Sequence, residues 1–142
     1  MYKYLFALLA TGLFANLSLA QEQDLSADDL FIKARDFAFE QKDYDQAKKL
    51  TKEALRRSPN YVDLSVFLGR LYTWTDEIDS ARHIFLGLEQ RNIENEDFFL
   101  AYASLEYWND NSAKAIQLLN KGIQLNPTSE DLMYLKATVN YS

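Results

Sequence analysis

The chain has 142 residues, of which 48% are apolar and 25% charged, and its formal net charge is −6. This composition is typical of one globular domain rather than a disordered chain, and the absence of cysteine excludes disulfides and thiolate metal sites. The acidic balance argues against nucleic acid as a partner.

The first twenty residues have the features of a cleavable secretory signal peptide. Lys3 is followed by the apolar run 4–15, and a small residue, Ala20, precedes the expected cleavage point. The run is shorter than the roughly 20 residues that a membrane span needs, so a retained anchor is the less favoured alternative. We predict a signal peptide at 1–20, a short linker at 21–27, and an exported protein with no membrane span after cleavage.

An interval of 34 residues relates several residue types along the rest of the chain. It separates three alanines, four aspartates and two tryptophans: Ala47, Ala81 and Ala115; Asp29, Asp63, Asp97 and Asp131; Trp74 and Trp108. Agreement among unrelated residue types indicates a repeated structural unit.

Each period contains two segments whose apolar residues recur at helical spacing, as in residues 78–88. Short polar breaks at 41–43, 75–77 and 109–111 separate the two segments and suit a tight turn between antiparallel helices. No segment shows the sustained alternation of a strand. The sequence predicts an all-α solenoid of helical hairpins, with repeats at 28–61, 62–95 and 96–127 and a terminal helix at 128–142.

The period and its residues resemble the tetratricopeptide repeat (TPR), a helix–turn–helix unit of 34 residues. The middle repeat fits the family pattern best, with Gly69, Tyr72, Ala81 and Phe85 at the expected positions. The first repeat departs from it, because Arg35 stands where a small residue is expected. We expect the small residues to let paired helices approach closely.

The TPR resemblance implies a concave groove lined by the first helix of each repeat. It places twelve side chains there: Ile32, Asp36, Phe39, Val66, Arg70, Thr73, Trp74, Leu100, Ser104, Tyr107, Trp108 and Tyr134. This set combines aromatic and apolar side chains with few charges, which suits a protein or peptide partner. For the two tryptophans, packing in the core or between repeats remains an alternative to a place in the groove.

The aspartate series has a structural interpretation. Three of the four lie three residues after a capping residue, in the pairs Ser26 and Asp29, Asn60 and Asp63, and Thr128 and Asp131. This is the spacing of a capping box, with Asp in place of the usual Glu. A carboxylate in the first turn also meets the positive end of the helix dipole. We interpret all four aspartates as helix-start signals.

Nothing in the sequence indicates catalysis. The chain has a single histidine, His83, in a mostly polar part of a predicted helix, and it has no cysteine and no glycine-rich phosphate loop. We therefore expect a protein that is not an enzyme and that uses no cofactor or metal.

A narrower resemblance is carried by Leu68-Gly69-Arg70 with Trp74, Tyr107-Trp108 and Leu125-Asn126-Pro127. These residues are similar to the periplasmic TPR region of YaiO-like outer-membrane barrel proteins. The resemblance implies a periplasmic location in a Gram-negative bacterium and an adaptor or scaffold for protein partners of the cell envelope, with an outer-membrane barrel as one candidate partner. The alternative is a carbohydrate-contacting or partner-recruiting part of an exopolysaccharide or barrel system, including a shortened member of the barrel family.

The terminal helix has apolar residues on almost every side: Leu132, Met133, Tyr134, Leu135, Ala137, Val139 and Tyr141. One side of such a helix can pack on the third repeat, and the other side is expected to stay exposed. An uncovered apolar face often marks an interface. The sequence therefore predicts that this helix docks on another chain or on a missing downstream domain, and that the isolated protein self-associates through it.

Overall fold

The computed structural model describes residues 25–142, and the regular structure within them is entirely α-helical. The seven helices are α1 (Ala27–Phe39), α2 (Tyr44–Arg57), α3 (Val62–Trp74), α4 (Ile78–Gln90), α5 (Glu96–Trp108), α6 (Ser112–Leu125) and α7 (Glu130–Tyr141). The predicted signal peptide at 1–20 lies outside the described residues.

The helices pack as consecutive hairpins. The most extensive contacts join α1 with α2, α3 with α4, and α5 with α6, while α2 packs on α3 and α6 packs on α7. Across the hairpins, α3 also contacts α5, and α5 contacts α7. Each hairpin thus covers apolar residues of the next, which is the general principle of repeat proteins. The predicted all-α solenoid is confirmed.

The turns inside the hairpins share one backbone conformation. Lys42, Asp76 and Asp110 are left-handed, with φ of 57°, 60° and 60°. The residue after the left-handed one can then donate its N–H back into the last turn of the first helix, as Glu77 does to the carbonyl of Tyr72 at 2.9 Å. This bond satisfies a carbonyl that the helix end would otherwise leave unpaired.

The start of α1 is a complete capping box. The Ser26 hydroxyl accepts from the backbone N–H of Asp29 at 3.1 Å, and the Asp29 carboxylate accepts from the backbone N–H of Ser26 at 3.0 Å. The hydrogen bonds from Ser26 hold the pKa of Asp29 below its usual value. The capping box predicted at this position is therefore present.

The other two predicted capping boxes are wrong by one residue. Helix α3 begins after Tyr61 rather than Asn60, and no side chain caps it. Ser129, not Thr128, caps α7, because the Thr128 hydroxyl donates to the side chain of Asn126 at 2.9 Å. All four aspartates of the 34-residue series nevertheless lie in first helical turns, as predicted.

Small residues bring the paired helices together, as expected. Ala81 and Ala115 are fully buried, and a β-carbon added to Gly69 would lie 2.5 Å from Cζ of Phe85. The Phe85 ring is itself fixed, since it stacks on Tyr102 with ring centres 5.3 Å apart. Burial raises the pKa of Tyr102 to about 12.

A buried ion pair joins α4 to α5. Nε of Arg82 donates to Glu106 at 2.8 Å, Nδ2 of Asn111 donates to the same carboxylate at 2.7 Å, and Glu106 is only 1% exposed. The hydrogen bond to Glu106 raises the pKa of Arg82. Lys48 stands one period before Arg82 and pairs with Glu77. The two cations therefore occupy equivalent repeat positions, but the acids that pair with them do not.

Helix α7 packs through one face only. Leu132 and Val139 are buried and Leu135 is half-buried, whereas Met133 and Tyr141 are exposed. The exposed apolar face expected from the sequence is therefore present. Self-association through it stays a prediction.

Candidate partner-binding groove

The first helices of successive hairpins, together with α7, line a groove of about 480 Å³. Its lining combines aromatic and apolar side chains with both signs of charge: Phe31, Arg35, Phe39, Asp63, Val66, Phe67, Arg70, Trp74, Asp97, Leu100 and Asp131. Because every hairpin contributes its first helix, the groove runs along the solenoid, where it can follow an extended partner.

The N-terminal part of the groove is an aromatic wall. Phe31 and Phe39 of α1 approach Phe67 of α3, with ring centres 5.4 Å and 6.0 Å apart. Phe39 also meets Trp74 edge-on at 5.8 Å, and Trp74 reaches Tyr44 at 6.0 Å. These contacts hold the rings in fixed positions, so a partner side chain meets a rigid apolar surface.

Arg35 lies on this wall. Its guanidinium is 5.9 Å from the centre of Phe31 and 6.0 Å from that of Phe39, which is cation–π distance. Arg35 occupies the position that holds Gly69 one period later, where a small residue was expected. It is tolerated because the side chain is exposed on the groove and not directed into the helix pair.

Three aspartates form a row along the groove. They lie in the first turns of α3, α5 and α7, and all three are exposed: Asp63, Asp97 and Asp131. Asp97 accepts from Nη2 of Arg70 at 3.3 Å. The first turn of a helix favours a negative charge, so the row is compatible with stable helices. A partner in the groove would meet a regular series of carboxylates.

Five of the twelve side chains predicted to line the groove do so: Phe39, Val66, Arg70, Trp74 and Leu100. Both open alternatives for Trp74 apply, because its ring packs between hairpins and also lines the groove.

The other seven predicted side chains lie outside this lining. Ile32 and Asp36 face a separate cavity beside α2, and the hydroxyls of Thr73 and Ser104 donate to carbonyls of their own helices, each at 2.8 Å. Tyr107 is half-buried against the core.

Trp108 and Tyr134 are 59% and 77% exposed and do not line the groove. For Trp108 the structure thus supports neither core packing nor a place in the groove.

Six further residues line the groove that were not predicted from the sequence: Phe31, Arg35, Asp63, Phe67, Asp97 and Asp131. Two signals could have found them. Phe31, Arg35 and Phe39 are spaced by four residues and therefore share one helix face. The aspartates recur at the 34-residue interval in the first turns of first helices, and equivalent positions of successive repeats lie along one edge of a solenoid.

Comparison with known proteins agrees with the helical-hairpin fold. Residues 38–105 match the family model of the tetratricopeptide repeat, a segment that contains α2, α3, α4 and most of α5. No curated protein matches the chain. The seven helices of residues 25–142 and this match define an all-α, TPR-type helical solenoid. TPR repeats are protein-interaction modules and are generally not enzymes.

Two further findings concern the part of the chain that the structure describes. No helix there is long and apolar enough to cross a membrane. Residues 25–142 also hold no group of three or more acidic or histidine side chains placed to bind a metal ion.

Proposed function

We propose that the protein is an exported interaction module whose groove binds a protein segment carrying both apolar and basic side chains. The observation that carries this proposal is the pairing of a rigid aromatic wall with the row of Asp63, Asp97 and Asp131. Apolar side chains of the partner would cover the rings, and its Lys or Arg side chains would pair with the carboxylates.

A protein segment suits this groove better than a carbohydrate does. Sugar rings stack on open aromatic faces, but here Arg35 lies over Phe31 and Phe39, and the other rings pack against each other. Apolar side chains of a peptide can instead pack on the exposed parts of this rigid surface while its basic side chains pair with the carboxylates. Trp108 is the most open tryptophan, and it lies outside the groove lining.

Export and an envelope location are supported by the sequence alone. The signal-peptide pattern of residues 1–20 favours export, and the similarity to YaiO-like proteins favours the periplasm and an outer-membrane barrel among the partners. N-terminal sequencing of the protein recovered from a periplasmic fraction tests this step. A mature chain that still begins at Met1 would exclude cleavage.

The groove proposal predicts the kind of peptide that the protein selects. From a library of random peptides, the purified protein should enrich those combining apolar residues with Lys or Arg. The double variant Asp63→Asn and Asp97→Asn should weaken the best peptide about tenfold, which corresponds to about 1.4 kcal/mol. Fluorescence anisotropy with the labelled peptide measures the change.

The matched control is Asp45→Asn with Asp79→Asn. These aspartates also lie in first helical turns, those of α2 and α4, and they do not line the groove. The control should bind within about twofold of the original protein because it loses the same charge elsewhere. Equal weakening by the two double variants, or enrichment of peptides without basic residues, would contradict the proposal. Binding of glycans alone, lost in Trp108→Ala, would favour the carbohydrate alternative.

A further inference from the structure

A second cavity of about 700 Å³ lies on the other side of α1 and α3, against α2. Five basic side chains line it, Lys48, Lys49, Lys52, Arg56 and Arg57, against three acidic ones, Asp45, Glu53 and Glu77. The cavity is therefore basic in a chain whose net charge is −6. None of its lining residues lines the groove.

The floor of this basic cavity is apolar. Leu30, Leu50 and the ring of Tyr72 form it, and the ammonium groups of Lys48 and Lys52 lie 5.8 Å and 5.4 Å from the centre of that ring. The lysine stems add further apolar area while their charged ends remain at the rim. The cavity thus offers both an apolar contact and positive charge.

Part of the positive charge is already neutralised within the protein. Lys48 pairs with Glu77 and with Asp45, the latter at 3.0 Å. Glu53 accepts from Arg56 at 2.8 Å and from Arg57 at 2.9 Å. The hydrogen bond from Arg56, followed by that from Arg57, lowers the pKa of Glu53 to about 2.

Two cations are left over. Lys49 and Lys52 are exposed, and neither forms a hydrogen bond or ion pair with any residue of 25–142. They lie three residues apart on α2 and therefore on one face of the helix. Lys52 lies in the electrostatic field of Glu77, but that carboxylate already pairs with Lys48. An anionic group at the rim would therefore give Lys49 and Lys52 a directly paired acid.

We propose that the basic cavity binds an acidic segment of a protein partner, with carboxylates at Lys49 and Lys52 and an apolar side chain on the floor. This inference goes beyond the groove and does not depend on what the groove binds. Charge complementarity identifies the occupant, since Lys49 and Lys52 are exposed without an ion pair in a cavity where basic side chains outnumber acidic ones.

The floor and the helix argue for a peptide over other anions. The ammonium groups of Lys48 and Lys52 already lie at cation–π distance from the Tyr72 ring and compete with a sugar for it, whereas the apolar side chain of a peptide can pack on Leu50. Phosphate sites commonly use free backbone N–H groups at a helix start, whereas the lysines and arginines here lie along α2, where those groups are paired within the helix. Carboxylates spaced along a peptide with apolar residues between them match both parts of the cavity.

The test uses a short fluorescent peptide of alternating Glu and Leu, and the same peptide with Gln for Glu. The Glu peptide should bind the purified protein at low salt and be released at high salt, and the Gln peptide should not bind. In the variant Lys49→Glu with Lys52→Glu, affinity should fall at least about tenfold because like charges then face each other. The milder Lys49→Gln with Lys52→Gln should lose several-fold and keep the helix intact.

The control reverses two lysines outside the basic cavity, Lys33→Glu and Lys136→Glu, and so changes net charge by the same amount. It should bind within about twofold of the original protein. Equal loss in both reversed variants, equal binding of the Gln peptide, or binding only to an acidic polysaccharide or to phosphatidylglycerol vesicles would overturn the proposal. Asp63→Asn with Asp97→Asn should leave the Glu peptide bound, so failure at the groove and failure here can be told apart.

Discussion

Gly69→Ala is expected to destabilise the protein, although it replaces glycine in mid-helix by the best helix former. In an open helix the change would stabilise by about 0.8–1.0 kcal/mol. Here the new β-carbon would lie 2.5 Å from Cζ and 2.6 Å from Cε1 of Phe85, which is fully buried and stacked on Tyr102. Overpacking of this kind costs about 1–3 kcal/mol, which exceeds the helix-propensity gain, so we expect a net loss of up to about 2 kcal/mol in the free energy of unfolding.

Gly87→Ala is the matched control. Gly87 lies within α4, is exposed, and a β-carbon there would meet nothing within 4 Å. This variant should gain about 0.5–1 kcal/mol. Urea unfolding followed by circular dichroism should therefore show midpoints that move in opposite directions.

A compensating change tests the cause. Ala103 and Leu119 stand one period after Gly69 and Phe85, so Gly69→Ala combined with Phe85→Leu copies the third repeat. The double variant should recover part of the stability that Gly69→Ala loses. If Gly69→Ala alone behaves like Gly87→Ala, the crossing of α3 and α4 is looser than the 2.5 Å approach to Phe85 implies.

Arg82→Met should be the most harmful single loss of a charge. It would leave Glu106, only 1% exposed, with Asn111 as its remaining side-chain donor. Breaking a buried pair typically costs about 3–5 kcal/mol. The Arg82 side chain is itself 35% exposed, so water offsets part of this, and we expect a loss of about 2–3 kcal/mol.

Two comparisons decide whether burial is the cause. Arg70→Met removes a similar pair whose acid, Asp97, has a side chain 72% exposed, and it should cost no more than about 1 kcal/mol. Adding Glu106→Leu to Arg82→Met removes both charges and should restore most of the stability. Equal losses for Arg82→Met and Arg70→Met in thermal unfolding would show that Glu106 is hydrated.

The fold could be predicted from the sequence because its signals are local. Apolar spacing marks the helices, polar breaks mark the turns, and the 34-residue interval relates the hairpins. Predicted capping residues differ from the observed ones by one position, as at Ser129, because neighbouring polar side chains compete for the same capping position.

The groove was predicted only in part because it depends on contacts between repeats. Trp74 and Trp108 are one period apart, yet only Trp74 packs against aromatic rings, those of Phe39 and Tyr44. Thr73 and Ile78 stand one period after these two rings, so Trp108 has no equivalent aromatic surface to cover it. Equivalent positions in a repeat therefore need not share an environment.

The ion pair of Arg82 and Glu106 was missed for a related reason. Its acid occupies the position that holds Tyr72 one period earlier, while the acid that pairs with Lys48 is Glu77, which corresponds to Asn111. The acid thus stands at two different repeat positions in the two junctions, and both positions lie near the cation in space. An alignment of the repeats by equivalent positions therefore does not reveal the pair.

The separation of charge between the groove and the basic cavity gives the molecule an electrical polarity that its net charge hides. Carboxylates are arrayed where the first helices start, and ammonium and guanidinium groups cluster along α2. A charged macromolecule approaching from solution would feel a torque as well as an attraction or repulsion, and it would be turned before first contact. A protein with a net negative charge can therefore attract an acidic segment, if that segment approaches the side that carries the basic cavity.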